Sequence, residues 1–115
     1  MKDSDNIIVK LTFQFAISII EYCEVLESNK RYVIANQLLK SGTSVGANVR
    51  EAQNAESKND FIHKFKIAAK EVEETIYWLE LCKMSKNYPE CSDLIIQIQS
   101  ISRVINKIII SSKVK

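Results

Sequence analysis

Apolar residues recur at steps of three and four along most of the chain, which is the spacing of one face of an α-helix. The first such segment spans residues 5–28, and its apolar stripe consists of Ile8, Leu11, Phe15, Ile19, Tyr22 and Leu26. The opposite side of the same segment carries Phe13, Ile17 and Ile20. One layer of neighbouring helices cannot cover both sides, so the pattern predicts a second packing partner such as another subunit.

A second helix is predicted over residues 31–55, after a polar break. Its apolar face consists of Ile34, Leu38, Val45, Val49 and Ala52. Gly42 and Gly46 lie inside this segment, where each costs about 1 kcal/mol of helix stability relative to alanine. Such glycines indicate either a bend or a neighbour packed closely against the backbone, and we favour close packing.

Ser57 followed three residues later by Asp60 resembles an N-cap, and it predicts a third helix over residues 58–86 that ends before Tyr88-Pro89. The apolar stripe of this helix is Phe61, Phe65, Ala69, Val72, Ile76 and Leu79. A fourth helix is expected after Cys91, with Ser92 as its cap. Its seam consists of Leu94, Ile98, Ile101, Ile105 and Ile108.

Four helices joined by short loops predict one all-α domain over residues 1–115, an antiparallel up-and-down four-helix bundle. The predicted core is Phe15, Leu38, Phe65, Val72, Ile76, Ile98, Ile101 and Ile105. Composition agrees, because 2 glycines and 1 proline are too few for the turns of a β-sandwich, a barrel or parallel α/β units.

The cysteines and the apolar runs bear on localisation. Cys23, Cys82 and Cys91 are odd in number and form no C-x-x-C pair, which argues against a disulfide framework or a structural zinc site. We therefore expect reduced thiols in the cytoplasm. The longest charge-free run, residues 11–20, is too short to span a bilayer, so no membrane partner is expected.

The sequence contains no combination of residues that is typical of a particular enzymatic reaction. The chain has a single histidine, His63, so a metal site built from several histidines is excluded. The acidic residues of the third helix lack the Glu-x-x-His motif of a carboxylate metal site, and residues 40–46 lack the Gly-Lys-Ser/Thr ending of a P-loop. We therefore expect no enzyme activity, catalytic residue, metal or cofactor.

A polar stripe runs along the second helix beside its apolar face and consists of Gln37, Ser41, Ser44, Asn48 and Glu51. Polar groups at the edge of a core must find hydrogen-bond partners, so these residues are interpreted as structural groups that set the register of a neighbouring helix. A ligand or subunit contact is the alternative.

Apolar surface is left over on the third helix, where Trp78 and Leu81 lie away from the stripe. Together with the second face of the first helix, they exceed what one small bundle can hide, and large exposed apolar patches usually bind partners. The residues predicted for a homo-oligomer interface are Phe13, Ile17, Ile20, Trp78 and Leu81.

Charge is nearly balanced overall, with a net +2, but it is segregated along the chain. From Leu94 to the end there is no acidic residue, and the basic residues are Arg103, Lys107, Lys113 and Lys115. This segment is a candidate nucleic-acid-binding surface, since adjacent basic residues on a helix can follow phosphates. Lys113 and Lys115 have an equally good alternative explanation: lysines at the solvated C-terminal end of the fourth helix complement the helix dipole.

Several strings in the chain resemble one known family. They are Arg31-Tyr32, Asn36-Gln37, SGTSVGANVREA over residues 41–52, and DFIHKFKIAAKEVEETIYWLELC over residues 60–82. The family is that of the four-helix bundle proteins encoded in 23S ribosomal RNA intervening sequences. Many relatives have Glu-Gly in place of Glu51-Ala52 and a proline before the Arg-Tyr pair, which indicates that this chain represents a different branch.

The resemblance implies an antiparallel four-helix bundle that assembles into a homopentamer. A related branch, the accessory variability determinant of diversity-generating retroelements, binds a reverse transcriptase and nucleic acid. The leading hypothesis is therefore a non-enzymatic oligomeric scaffold whose partner is nucleic acid, RNA or DNA, or a nucleic-acid enzyme. The alternative is a protein–protein interaction subunit with no nucleic-acid contact.

Overall fold

The computed structural model describes the backbone of residues 3–114 and the side chains of residues 7–114. Its helices are α1 (Asp3–Ser28), α2 (Tyr32–Ala52), α3 (Lys58–Met84) and α4 (Ser92–Lys113), and the described part of the chain contains no strand. Consecutive helices pack against each other, and α4 returns to contact α1. The result is an elongated bundle of 48 × 21 × 20 Å, which confirms the prediction of four helices in an all-α fold.

The cap at the start of α3 is the predicted one. The backbone N–H of Asp60 donates to the Ser57 hydroxyl at 3.0 Å, and the Asp60 carboxylate accepts from the N–H of Glu56 at 3.2 Å. Both hydrogen bonds satisfy amides that the helix itself cannot bond. The sequence signal at residues 57–60 was therefore sufficient to locate the start of this helix.

The cap predicted for α4 is wrong. Ser92 is the first residue of the helix and Cys91 precedes it without a side-chain cap. Glu90 performs the capping role, because its carboxylate accepts from the N–H groups of Cys91 and Ser92 at 2.9 and 2.7 Å. Hydrogen bonds from Ser92 and Cys91 lower the pKa of Glu90.

Two helices end earlier than predicted. After α2, the N–H groups of Gln53, Asn54 and Ala55 donate to carbonyls three residues back, so the helix tightens and stops at Ala52 instead of continuing to residue 55. At the end of α3, Ser85 is extended and Asn87 has a φ of 64°. The extended backbone of Ser85 therefore ends the helix at Met84 instead of residue 86, and Asn87 turns the chain after it.

Threonine occupies two core positions that were assigned to neighbouring apolar residues. Thr12 is 1% exposed whereas Leu11 is 36% exposed, and Thr75 is fully buried whereas Ile76 is half-buried. The Thr12 hydroxyl donates to the Ile8 carbonyl at 2.8 Å, and the Thr75 hydroxyl donates to the Glu71 carbonyl at 2.7 Å. Because each hydroxyl is satisfied within its own helix, the threonine can face the core.

Of the eight residues predicted for the core, seven are buried, and the exception is Ile76. In α4 the last buried position is Ile109 and not Ile108, which packs at the edge. Three further stripe residues also pack at the edge of the core instead of lying inside it: Ile34, Phe61 and Ala69.

Close packing at the two glycines is confirmed. A Cβ atom on Gly42 would lie 2.9 Å from Cγ2 of Ile19, and one on Gly46 would lie 3.2 Å from the backbone carbonyl oxygen of Thr12. Separations this short leave no room for a larger residue unless α1 moves. The glycines therefore set how closely α1 approaches α2.

Candidate functional site

The basic residues of α4 lie on its outward face. Arg103 and Lys107 are exposed, are one helical turn apart, and make no ion pair within the described residues. Lys113 is exposed in the last turn, and Lys115 lies outside the described residues. With no acidic residue between 94 and 114, this surface presents uncompensated positive charge to solvent.

Aliphatic side chains share that outward face, which the sequence analysis missed. Ile96, Ile110 and Val114 are 62%, 65% and 80% exposed. They lie seven, seven and eleven residues from Arg103, spacings that return to the same side of a helix. The paired and tripled isoleucines at residues 95–96 and 108–110 were the available signal, because one stripe cannot bury them all.

By length and composition alone, α4 could also cross a membrane. A helix that contributes to a protein core passes the same test, and one side of α4 does pack in the core of the bundle through Ile98, Ile101 and Ile105.

The predicted interface residues of α1 are exposed, and Phe13 among them lies beside α2. Phe13, Ile17 and Ile20 are 52%, 45% and 43% exposed. The guanidinium of Arg50, from the last turn of α2, lies 5.4 Å from the ring centroid of Phe13. A cavity of about 160 Å³ opens next to this ring and is lined mostly by small residues, including Ala16, Gly46 and Ala47.

The predicted interface residues of α3 are placed differently. Trp78 is half-buried and packs against the core, and its indole N–H donates to the Glu74 carboxylate at 3.1 Å. Leu81, three residues further on, is 38% exposed. The backbones of α1 and α3 do not lie side by side within residues 3–114, so the two groups of candidates lie on helices that are not neighbours in the bundle.

The polar stripe of α2 divides into two kinds of residue. Ser41 and Glu51 reach α3: the Thr75 hydroxyl lies 3.0 Å from the Ser41 hydroxyl in the core, and Lys64 pairs with Glu51 at 3.1 Å. Ser44 and Asn48 instead donate to α2 carbonyls, those of Lys40 and Ser44 respectively. Gln37, the remaining residue of the stripe, is exposed.

The three cysteines lie in the core near one end of the bundle, and all of them are free. Burial raises the pKa of the Cys23 thiol to about 12 and also raises the pKa of Cys82 and Cys91. These thiols are therefore neutral, and neutral thiols are poor nucleophiles. No group of three His, Cys, Asp or Glu side chains among the described residues is placed to hold a metal ion.

Comparisons with known proteins agree on one family. A sequence model of the family described as 23S rRNA-intervening sequence protein matches residues 4–107. Among solved structures, the chain is similar to a protein with unknown function from the S23 ribosomal protein family of Bacteroides thetaiotaomicron. The two are 37% identical with a TM-score of 0.86, and the alignment covers 92% of this chain and 97% of that chain. No curated protein matches the chain.

Proposed function

The chain belongs to the family of 23S rRNA-intervening sequence proteins, and from that premise we propose that it is a non-enzymatic, homo-oligomeric scaffold that binds nucleic acid or a nucleic-acid enzyme. The related protein of solved structure is itself of unknown function, so the proposal rests on the surfaces of this chain. The observation that carries it is the basic outward face of α4, where Arg103 and Lys107 are exposed, make no ion pair within the described residues and have no acidic residue on their own helix after Asp93.

Such a face suits a phosphate backbone. Two cations one helical turn apart can contact successive phosphates and release their counterions, which gives affinity without sequence preference. An oligomer repeats the pair once per subunit, so several weak contacts add up. Binding should be polyvalent and should weaken steeply with salt.

The test is a titration of labelled single- and double-stranded RNA and DNA at about 50 and 200 mM salt. The variant is Arg103→Glu with Lys107→Glu. Its matched control is Lys66→Glu with Lys70→Glu, which makes the same charge change at the same spacing on the exposed side of α3. We expect the α4 variant to abolish binding and the control to bind more tightly than the α4 variant.

Two results would remove the nucleic-acid proposal. One is no detectable binding by the unmodified protein at the lower salt concentration. The other is binding that the α4 variant leaves unchanged, because the phosphates would then contact another surface.

A second function is favoured by the aliphatic residues on the same face of α4. Ile96, Ile110 and Val114 expose apolar surface between the basic residues, and phosphates offer such side chains no favourable contact. They suit a protein surface that is apolar and acidic. The alternative is therefore a protein–protein interaction subunit without nucleic-acid contact, and a negative titration would promote it.

The assembly that we propose is a homopentamer of antiparallel bundles in the cytoplasm, with no membrane partner. Its support is the apolar surface on two faces of the chain and the family resemblance. Two contacts support an antiparallel order of α1 and α2. Thr12 approaches Gly46, whereas Ile19, later in α1, approaches Gly42, earlier in α2. The free, buried cysteines are consistent with a reducing compartment.

A further inference from the structure

Two faces of the bundle complement each other in shape and charge. The basic apolar face consists of Phe13, Ile17 and Ile20 of α1 with Arg50 of α2. The acidic aromatic face consists of Glu71, Glu74, Trp78 and Leu81 of α3. Because α1 and α3 are not neighbouring helices within the described residues, and both faces are on the outside of the bundle, one copy of the chain cannot bring its own two faces together.

We propose that the basic apolar face of one copy binds the acidic aromatic face of the next copy, with Glu74 beside Arg50 and Trp78 against the apolar residues of α1. The inference rests on the proposed self-association and names the surfaces that produce it. Its occupant is a second copy of this chain.

The charges on the two faces are opposite in sign, and neither Arg50 nor Glu74 makes an ion pair within residues 7–114. On the acidic aromatic face, Glu71 and Glu74 lie one turn apart, and burial together with the Glu74 carboxylate raises the pKa of Glu71, which Lys40 opposes. A guanidinium arriving beside the two carboxylates would relieve their repulsion.

The spacing of the residues along the two helices is similar. Phe13 to Ile20 spans seven residues of α1, and Glu74 to Leu81 spans seven residues of α3, so both stretches extend about 10 Å along their helices. The cavity of about 160 Å³ beside Phe13 gives space for the edge of an aromatic ring. In an antiparallel bundle α1 and α3 run in the same direction, so copies related by rotation about one axis present the two faces in parallel.

A contact between two different faces is heterologous, and repeated heterologous contacts close into a ring when the rotation permits. A two-fold dimer would need one face to bind itself. Placement of the apolar surface on two unconnected faces therefore favours a ring, whatever its number of subunits.

Charge exchange tests the pairing in the full-length chain. The variants are Arg50→Glu, Glu74→Arg and the double variant, and light scattering after gel filtration measures the mass. Each single variant should require at least tenfold higher concentration to assemble, and the double variant should assemble as the unmodified protein does. Glu73→Arg and Lys66→Glu, exposed on another side of α3, serve as matched controls that should not change the mass.

The pairing would be overturned if both single variants kept the original mass, or if the double variant failed to reassemble while remaining helical by circular dichroism. Should a reversal unfold the chain, Arg50→Gln and Glu74→Gln replace it and must weaken assembly. A monomeric unmodified protein contradicts self-association itself, which distinguishes that failure from a wrong choice of faces.

Cross-linking separates the heterologous contact from a two-fold one. A chain with both Ile17→Cys and Leu81→Cys should give a ladder of multimers with a bismaleimide, whereas either substitution alone should give none. Multimers from Ile17→Cys alone would show that the basic apolar face binds itself and would overturn the proposal. The unmodified chain is the control for its three buried cysteines.

Discussion

Replacing Gly42 with alanine tests how closely α1 and α2 pack. The added Cβ would lie 2.9 Å from Cγ2 and 3.0 Å from Cγ1 of Ile19. Ile19 is fully buried and β-branched, so its γ carbons have little freedom to move aside. Overpacking of this kind costs about 1–3 kcal/mol. Alanine gains about 1 kcal/mol over glycine in a helix, so the expected net effect is a loss of about 1 kcal/mol in the free energy of unfolding.

The assay is urea unfolding followed by circular dichroism at one protein concentration, because self-association makes apparent stability depend on concentration. Ala47→Gly is the matched control, since Ala47 is exposed on the same helix. It should lose about 1 kcal/mol from helix propensity alone. Because the two substitutions change helix propensity in opposite directions, the sum of the two losses gives the cost of the clash.

Removing the Ile19 side chain should turn the effect of Gly42→Ala on the free energy of unfolding from a loss into a gain. Ile19→Ala deletes both γ carbons and is itself destabilising by about 2–5 kcal/mol. In that background Gly42→Ala should stabilise the protein by about 1 kcal/mol. If Gly42→Ala were equally stabilising with and without the Ile19 side chain, close packing at this position would be refuted.

Three further predictions concern other parts of the bundle. Thr75→Val should lower the free energy of unfolding by about 0.5–1.5 kcal/mol in urea titrations, because it removes the buried hydrogen bond between the Thr75 and Ser41 hydroxyls, and the loss should be smaller in a Ser41→Ala background. The contribution of Cys23 to stability should be constant below about pH 9 and should be lost as the pH rises towards 12, because only the unfolded chain ionises Cys23 in that interval; in unfolding measured against pH, Cys23→Ala should make the alkaline fall shallower. Trp78→Glu should shift the sedimentation mass towards monomer and keep most of the helicity, whereas loss of helicity would assign Trp78 to the monomer core.

Periodicity predicted the number of helices, most of the core and the close approach at Gly42 and Gly46. It could not predict that threonine, not leucine or isoleucine, faces the core at residues 12 and 75, because a hydropathy pattern counts a hydroxyl as polar. The local hydrogen bonds of Thr12 and Thr75 to carbonyls of the preceding turn cancel that polarity.

The candidate surfaces were predictable residue by residue but not in their arrangement. Sequence reasoning identified Phe13 and Trp78 as surplus apolar residues, yet only the order of helices in the bundle places them on helices that are not neighbours. The position of Arg50 over the Phe13 ring joins residues 37 apart in sequence, and no periodic signal connects them. Exposed Ile96 and Ile110 were missed for a related reason, since each lies two residues from an isoleucine of the predicted seam, Ile98 or Ile108, in an isoleucine-rich stretch.

Self-association is the central claim, and sedimentation equilibrium of the unmodified protein at micromolar concentration tests it most directly. The chain has a mass of 13.2 kDa. A closed pentamer predicts a single species of about 66 kDa whose mass does not change on dilution through the micromolar range. A stable 13.2 kDa monomer across that range would contradict the account.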